Sequence, residues 1–247
     1  MWGLIPAAGR GTRIEPTGCS KELLPIARRV ENGVETSRAV SEFLVERLIA
    51  GGATKLCFVI SSGKSDILDY FGGSAQGIPI CYVVQPEPAG LCDAVFRALP
   101  LLYPDEPVAV GLPDTIWFPE RALASLPDDD LSFLLFSVSR PELFDVVIMN
   151  SRGDVRRIDV KPQKPQSPWI WGAFKMPGGI MEELFNLWRE RERRDESFGT
   201  LVNAYLESGG TARAFPIGTD YADVGTPGGR RQAAFLLQEH GERPALA

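Results

Sequence analysis

The sequence is poor in histidine, the side chain that most often carries general acid–base and metal chemistry near neutral pH. The 247 residues include one histidine, His240, in a polar segment close to the C-terminus. The four cysteines, Cys19, Cys57, Cys81 and Cys92, include no pair with C-x-x-C spacing. These absences argue against a histidine base and against a histidine-rich metal centre. The cysteine usage leads us to expect a reducing, cytoplasmic setting.

The chain also lacks an excess of basic residues and any long apolar run. Its 26 Lys and Arg are outnumbered by 32 Asp and Glu, which gives a formal net charge of −6. An acidic balance argues against non-specific nucleic-acid binding but is compatible with a local basic pocket for phosphates. No apolar run approaches the ~20 residues of a membrane span. We therefore expect neither nucleic acid nor a membrane as a partner, while a homo-oligomer stays open.

Strand-like and helix-like segments alternate through the first half of the chain, with short connections between them. This alternation is typical of βαβ units and a mostly parallel sheet. The predicted strands cover residues 2–6, 55–60, 78–84 and 107–112, and the predicted helices cover residues 37–50, 66–71 and 91–102.

The second half is predicted to begin with strands and to end with helices. A hairpin turn is expected at residues 151–154, Ser-Arg-Gly-Asp, between two strands. With 247 residues and no linker, the chain is expected to form one α/β domain. The predicted strands cover residues 131–138, 145–150, 155–160, 170–175 and 211–216, and the predicted helices cover residues 179–194, 197–207 and 226–239.

A small-residue loop with two nearby cations follows the first predicted strand. Residues 7–11 are Ala, Ala, Gly, Arg and Gly, and Arg13 and Lys21 come after them. Small residues let backbone N–H groups approach an anion closely, so the segment indicates a polyphosphate site. It lacks the Gly-Lys-Ser/Thr of a Walker loop and the regular G-x-G-x-x-G of a dinucleotide site. A solvated turn with an exposed Arg and Lys is the alternative.

Two carboxylates stand where a metal ion could bind. Asp114 follows the predicted strand 107–112 after Pro113, at the ligand edge of an open α/β sheet. Asp223 lies just before the last predicted helix. Together they could hold one Mg²⁺, which normally keeps waters and bridges to substrate phosphates. Each alone fits a helix cap or a turn equally well.

Two further polar residues end predicted strands. Lys161 follows strand 155–160 and could neutralise a second phosphate, although an exposed lysine is common at a strand end. Gln85 ends strand 78–84, and its amide could pair with a base edge while Gly90 lets the base or ribose lie against the backbone. Taken in isolation, Gln85 also fits an ordinary surface glutamine.

In combination, these segments resemble the sugar-1-phosphate nucleotidylyltransferases over residues 2 to about 238. The opening is similar to that of bacterial glucose-1-phosphate uridylyltransferases and thymidylyltransferases. The matching segments, in chain order, are Pro6-Ala7-Ala8-Gly9-x-Gly11-Thr12-Arg13, Lys21-Glu22-Leu23-Leu24-Pro25-Ile26, Gln85 to Gly90, Pro113-Asp114, Lys161-Pro162 and Asp223-Val224-Gly225-Thr226.

The resemblance implies a fold, a reaction and a set of roles. The fold would be a mostly parallel, mixed Rossmann-like sheet flanked by helices, of the nucleotide-diphospho-sugar transferase type. Its nucleotide-binding half would cover about 1–115 and its sugar-phosphate half about 116–247. The reaction would be Mg²⁺-dependent attack of a sugar 1-phosphate on the α-phosphorus of a nucleoside triphosphate, with UTP or dTTP favoured, releasing pyrophosphate.

The implied site residues follow the same order along the chain. Arg13 and Lys21 would bind the nucleotide phosphates, and Lys161 would hold the sugar phosphate. Asp114 and Asp223 would ligate Mg²⁺. The residues implied around the nucleotide are Leu4, Ala7, Ala8, Gly9, Gly11, Thr12, Gln85 and Gly90, and those implied around the sugar are Asp145, Val160 and Gly172.

Two departures from the family pattern fall on the sugar side. Val160 stands where the family has a glutamate that touches sugar hydroxyls, and Asp145 stands where a glycine usually follows an aromatic residue. They leave open a cytidylyltransferase acting on a non-sugar alcohol phosphate such as phosphocholine, since Asp145 could meet a cationic head group. A non-catalytic nucleotide-binding homologue is a further alternative.

Overall fold

A mixed ten-stranded sheet forms the centre of the molecule. The computed structural model describes residues 1–9, 19–31 and 33–245. The predictions for Gly11, Thr12 and Arg13 therefore lie outside the described residues.

The first half alternates strands and helices as predicted, with two additions: a hairpin over Pro25–Glu31 and Val34–Ala39, and the two-residue strand Ser74–Ala75. Its elements are β1 (Trp2–Pro6), β2 (Pro25–Glu31), β3 (Val34–Ala39), α1 (Val40–Ala50), β4 (Lys55–Ile60), α2 (Ser65–Phe71), β5 (Ser74–Ala75), β6 (Ile78–Val84), α3 (Gly90–Phe96) and β7 (Pro107–Gly111).

Two predicted helices of this half were wrong at their ends. The helix predicted over 37–50 begins only at Val40, because the residues before it pair as β3 with β2. The helix predicted over 91–102 ends at Phe96 and is followed by a separate 3₁₀ turn, Leu99–Leu101. Pro100 has no N–H to donate, so it interrupts the α-helical hydrogen-bond ladder.

The second half begins with strands and continues with two helices, as predicted, and the predicted strand near residues 211–216 follows them before the last helix. Its elements are β8 (Thr115–Phe118), β9 (Ser132–Ser137), β10 (Asp145–Met149), β11 (Val155–Val160), β12 (Trp169–Pro177), α4 (Gly178–Glu190), α5 (Phe198–Glu207), β13 (Arg213–Gly218), β14 (Asp220–Asp223), α6 (Pro227–Glu239) and β15 (Arg243–Pro244).

The turn between β10 and β11 confirms the predicted hairpin. Gly153 has a φ of 85°, and its N–H donates to the Asn150 carbonyl at 3.1 Å. The sequence prediction missed β8 and β14, which pair antiparallel as a separate two-stranded ribbon. Each has four residues, too few for an alternating pattern to stand out.

The sheet order brings the ends of the parallel strands to one edge. The main path is β11-β10-β12-β7-β1-β4-β6-β5, and strands β7, β1, β4 and β6 are parallel neighbours. Side chains alternate between the two faces, so Leu4 packs in one large hydrophobic cluster and Ile5 in the other. The α/β fold with a mixed central sheet is thereby confirmed. Because β7 and β12 pair directly, the halves share one sheet and the predicted division near residue 115 stays a functional prediction.

Candidate active site

Lys21 and Asp114 meet at the carboxyl edge of the parallel strands. Lys21 begins a one-turn 3₁₀ helix, Lys21–Leu23, and Asp114 stands three residues after the end of β7. The Lys21 Nζ atom lies 2.6 Å from Asp114 Oδ2. The structure therefore joins one predicted phosphate-binding cation to one predicted metal ligand, although 93 residues separate them in the chain.

The short segment that carries Lys21 is held on both sides by the start of α2. Before Lys21, the backbone N–H and the hydroxyl of Ser20 donate to Asp66 at 2.6 and 2.7 Å. After it, the Lys64 ammonium donates to both Glu22 oxygens at 2.7 Å and to the Ala7 carbonyl at 2.7 Å. A one-turn helix has little stability of its own, so these bonds are what fix the direction of Lys21.

The Lys64–Glu22 ion pair is buried, and burial dominates its electrostatics. Lys64 is 8% exposed and Glu22 is fully buried. Desolvation lowers the pKa of Lys64 and raises that of Glu22, while the attraction between the two opposes both shifts. Lys64 and Asp66 could not be identified from the sequence, because neither belongs to a motif and their partners are about 40 residues away in the chain.

Asp114 directly precedes β8 and Asp223 ends its partner strand β14, so the two residues converge. Asp223 pairs with Thr115, and the Val224 N–H donates to the Asp114 carbonyl at 2.8 Å. A Cβ placed on Gly225 would stand 2.8 Å from Asp223 Oδ1 and 3.2 Å from Asp114 Oδ2. The two carboxylates thus share one small space that the glycine leaves open.

This pair fits a hard divalent cation. Carboxylate oxygens are the ligands that Mg²⁺ takes from proteins, and its other positions normally go to water and substrate phosphates. Within the described ranges, no group of three or more His, Cys, Asp or Glu residues could hold a metal ion. Tyr221 lies next to the pair, and burial foremost, together with the charges of Asp223 and Asp114, raises its pKa well above the ordinary value.

A cavity of about 510 Å³ extends from this pair towards β10, β11 and α5. Asp145 and Val160 face each other across β10 and β11, and the half-buried Asp145 carboxylate accepts a hydrogen bond from the Ser197 hydroxyl at 3.1 Å. Burial raises the pKa of Asp145, while the Ser197 hydrogen bond and the nearby Lys161 oppose that shift. The cavity is lined by Gly90, Leu91, Leu112, Asp114, Thr115, Leu143, Phe144, Asp145, Val160, Lys161, Trp171, Glu196, Ser197, Phe198, Tyr221 and Asp223.

Gln85 lies inside the protein rather than on its surface. It is 2% exposed, and its side-chain amide donates to the Gly90 carbonyl at 3.3 Å and to Asp93 at 2.7 Å. Gly90 has a φ of 84°, and a Cβ on it would stand 2.8 Å from the Glu196 carbonyl oxygen. Gly90 is therefore required both by backbone conformation and by close approach, and the alternative of an ordinary surface glutamine is wrong.

The family profile described as nucleotidyl transferase matches residues 2–238. The chain belongs to this family. A glucose-1-phosphate thymidylyltransferase of Neisseria meningitidis is 28% identical over 96% of this chain and 83% of its own length. A UTP–glucose-1-phosphate uridylyltransferase of Haloferax volcanii is 26% identical over 97% of both chains.

Solved structures show the same fold for this nucleotidyl transferase. A putative glucose-1-phosphate thymidylyltransferase from Bacillus anthracis, crystallised with a sucrose, superposes with a TM-score of 0.81 over 97% of this chain and 96% of its own, at 21% identity. The UDP-glucose pyrophosphorylase of Acinetobacter baumannii superposes with a TM-score of 0.78 at 20% identity. Among the described residues, no helix is both long and apolar enough to cross a membrane.

The other residues predicted to bind nucleotide or sugar in this nucleotidyl transferase differ in their burial. Leu4 is buried in the core, and Gly9 is exposed three residues after the end of β1. Gly172 lies behind the Tyr221 ring, where a Cβ would stand 2.9 Å from a ring carbon. Their proposed contacts with nucleotide and sugar stay predictions, as does that of the buried Ala8. Trp171, Glu196 and Ser197 line the cavity without a sequence signal that could have found them.

Proposed function

We propose that this nucleotidyl transferase joins a nucleoside triphosphate, with UTP or dTTP favoured, to a sugar 1-phosphate and releases pyrophosphate. One observation carries the proposal: Lys21, Asp114 and Asp223 meet at one end of a cavity that also contains Lys161. The arrangement offers charge for two phosphate-bearing substrates in one connected space. The thymidylyl- and uridylyltransferase names of the relatives support the substrate classes.

The proposed chemistry needs no general base. The second pKa of a phosphate monoester is about 6, so the attacking oxygen of a sugar 1-phosphate is already anionic at neutral pH. Lys161 would hold this phosphate in line with the α-phosphorus. Lys21, together with Arg13, would stabilise the departing pyrophosphate. Such catalysis relies on positioning and charge neutralisation, which suits a chain whose one histidine pairs with Asp220 at the surface.

Asp114 and Asp223 would hold Mg²⁺ in this proposal. Bound there, the ion would supply charge stabilisation for the phosphoryl transfer. Lys21 would remain close enough to share the negative charge of Asp114, since the two already form an ion pair. The buried hydroxyl of Tyr221 stays protonated beside the two carboxylates because its pKa is raised, so it adds no further negative charge.

The proposed acceptor side of the cavity also supports a second candidate function, that of a cytidylyltransferase acting on a cationic alcohol phosphate. Asp145 is a half-buried carboxylate in a wall that includes the aromatic rings of Phe144, Trp171 and Phe198. Aromatic faces together with a carboxylate are the usual surroundings of a quaternary ammonium group. Once the acceptor phosphate occupies Lys161, a cationic head group would compensate the Asp145 charge.

Pyrophosphate release with Mg²⁺ tests these alternatives directly. UTP, dTTP, CTP, GTP and ATP are each combined with a panel of sugar 1-phosphates and with phosphocholine. Release with a pyrimidine triphosphate and a sugar 1-phosphate supports the proposal, and release confined to CTP with phosphocholine replaces it by the second candidate. Nucleotide binding without release for any acceptor would favour the non-catalytic homologue. The expected cytoplasmic location and any oligomer stay predictions.

A further inference from the structure

The side-chain amide of Gln85 is held from one side only. Its Nε2 atom carries two hydrogens, and the structure gives it two acceptors, Asp93 Oδ2 at 2.7 Å and the Gly90 carbonyl at 3.3 Å. The opposite end of the amide, Oε1, accepts no hydrogen bond from the described residues. Both donors are therefore used inside the protein, and the acceptor is what remains for a ligand.

Asp93 sets the orientation of the Gln85 side-chain amide. The two ends of a glutamine amide are nearly the same size, so the hydrogen-bond network sets their orientation. An ionised carboxylate accepts hydrogen bonds and donates none, so only Nε2 can face Asp93. A neutral group at this position that could both donate and accept would allow either orientation.

The groups that hold the amide are themselves fixed. Asp93 is 5% exposed, and the Arg97 guanidinium donates to its two oxygens at 3.1 and 3.0 Å, which fixes the orientation of the carboxylate. The Gly90 carbonyl belongs to a residue that the Glu196 backbone contacts, and the Leu91 N–H donates to the Glu196 carbonyl at 3.1 Å. Rotation of the Gln85 amide would break two hydrogen bonds and leave a buried carboxylate facing an oxygen.

We propose that Asp93 is a specificity-determining positioning residue, which turns Gln85 so that only the acceptor Oε1 faces the base. This inference rests on the proposed function for one point, the placement of the base next to Gln85. Uracil and thymine carry a hydrogen on N3 and can donate to Oε1. Cytosine has a lone pair at N3, which would face the Oε1 lone pairs without a hydrogen between them. Asp93 thereby selects UTP or dTTP over CTP without touching the nucleotide.

Nucleotide affinities measured by calorimetry in the presence of Mg²⁺, without an acceptor, test this role. The wild-type protein should bind UTP about 5- to 150-fold more tightly than CTP, because a mismatched polar contact costs about 1–3 kcal/mol. In Asp93→Asn the amide can turn, and the UTP-to-CTP ratio should fall at least about fivefold. Arg97→Lys is the matched control: it loosens the hold on Asp93 but keeps an acceptor-only carboxylate beside Nε2, so the ratio should stay closer to that of the wild type than in Asp93→Asn.

Three results would overturn the inference. An unchanged UTP-to-CTP ratio in Asp93→Asn, with an unchanged melting temperature, would show that Asp93 does not set base choice. An equal loss of affinity for both nucleotides would make Asp93 a structural residue only. Tighter binding of CTP by the wild type would contradict the orientation of Gln85. Because the readout is binding, expected ratios combined with no turnover would refute the proposed reaction and leave the inference standing.

Discussion

The region proposed to bind the nucleotide and the region proposed to bind the acceptor are built differently. On the nucleotide side, polar groups are buried and paired: Lys64 with Glu22, and Gln85 with Asp93. On the acceptor side, Val160 is 38% exposed, and Lys161 is exposed at the end of β11. The first region is therefore organised before any ligand arrives, whereas the second can change residues at little cost to stability. Substrate identity is most easily altered on the acceptor side.

Burial also changes the free energy that an ion pair contributes to stability. A buried ion pair such as Lys64–Glu22 must offset the desolvation of both charges, so its net stabilisation is small even though its loss is costly. Such a pair is useful where direction matters more than stability. Here it fixes Glu22, and with it the adjacent Lys21 that contacts Asp114.

Loss of either converging carboxylate should have the largest effect. Asp114→Ala or Asp223→Ala is expected to lower turnover at least about 100-fold, the size seen when a principal charge stabiliser is removed. Single-turnover measurements of pyrophosphate release at saturating substrates would show it. Asp220→Ala is a matched control, because Asp220 lies on β14 as Asp223 does and pairs with His240 at 3.3 Å. Turnover retained in both main variants would refute the metal assignment.

Removal of one partner of the buried ion pair should have the next largest effect, in this case on the free energy of unfolding. Lys64→Met leaves the Glu22 carboxylate buried without its cation, and we expect a loss of about 3–5 kcal/mol in the free energy of unfolding. Urea denaturation measures it. The double variant Lys64→Met/Glu22→Leu should regain most of that stability, because no unpaired charge remains buried.

An exposed ion pair provides the contrast to the buried one. Lys55 and Glu106 also form an ion pair, but 38% of the Lys55 side chain is exposed, so Lys55→Met should cost no more than about 1 kcal/mol. If the double variant folds stably yet turns over slowly, the Lys64–Glu22 pair acts through the placement of Lys21. Equal losses of stability in Lys64→Met and Lys55→Met would show that burial does not distinguish the two pairs.

Much of the fold followed from local patterns in the sequence. The strands at Lys55–Ile60 and Val155–Val160 and the turn between β10 and β11 lie where apolar runs and turn residues place them. The ribbon of β8 and β14 did not follow, because each strand is short and its partner is about 100 residues away. That ribbon is what brings Asp223 to Asp114, so the sequence indicated the two residues but not the element that unites them.

The site residues that could not be predicted from the sequence are those that form hydrogen bonds or ion pairs with another element. Lys64 and Asp93 look like ordinary surface charges in the sequence, and only the packing of α2 and α3 shows that they hold Glu22 and Gln85. The departures at Asp145 and Val160 were visible separately. Their pairing across β10 and β11, in one wall of the cavity, required the structure.

A gain of function on the acceptor side should be the smallest effect. Val160→Glu places a second carboxylate opposite Asp145, and we expect about a fivefold higher kcat/KM for glucose 1-phosphate, the size of one added hydrogen bond of about 1 kcal/mol. Like charges directly across two strands repel, so Val160→Glu/Asp145→Asn should gain more than the single variant. The KM for the nucleotide should stay unchanged in both. No gain in either variant would mean that Val160 does not shape the acceptor site, whereas an altered nucleotide KM would show that the two sides of the cavity are not independent.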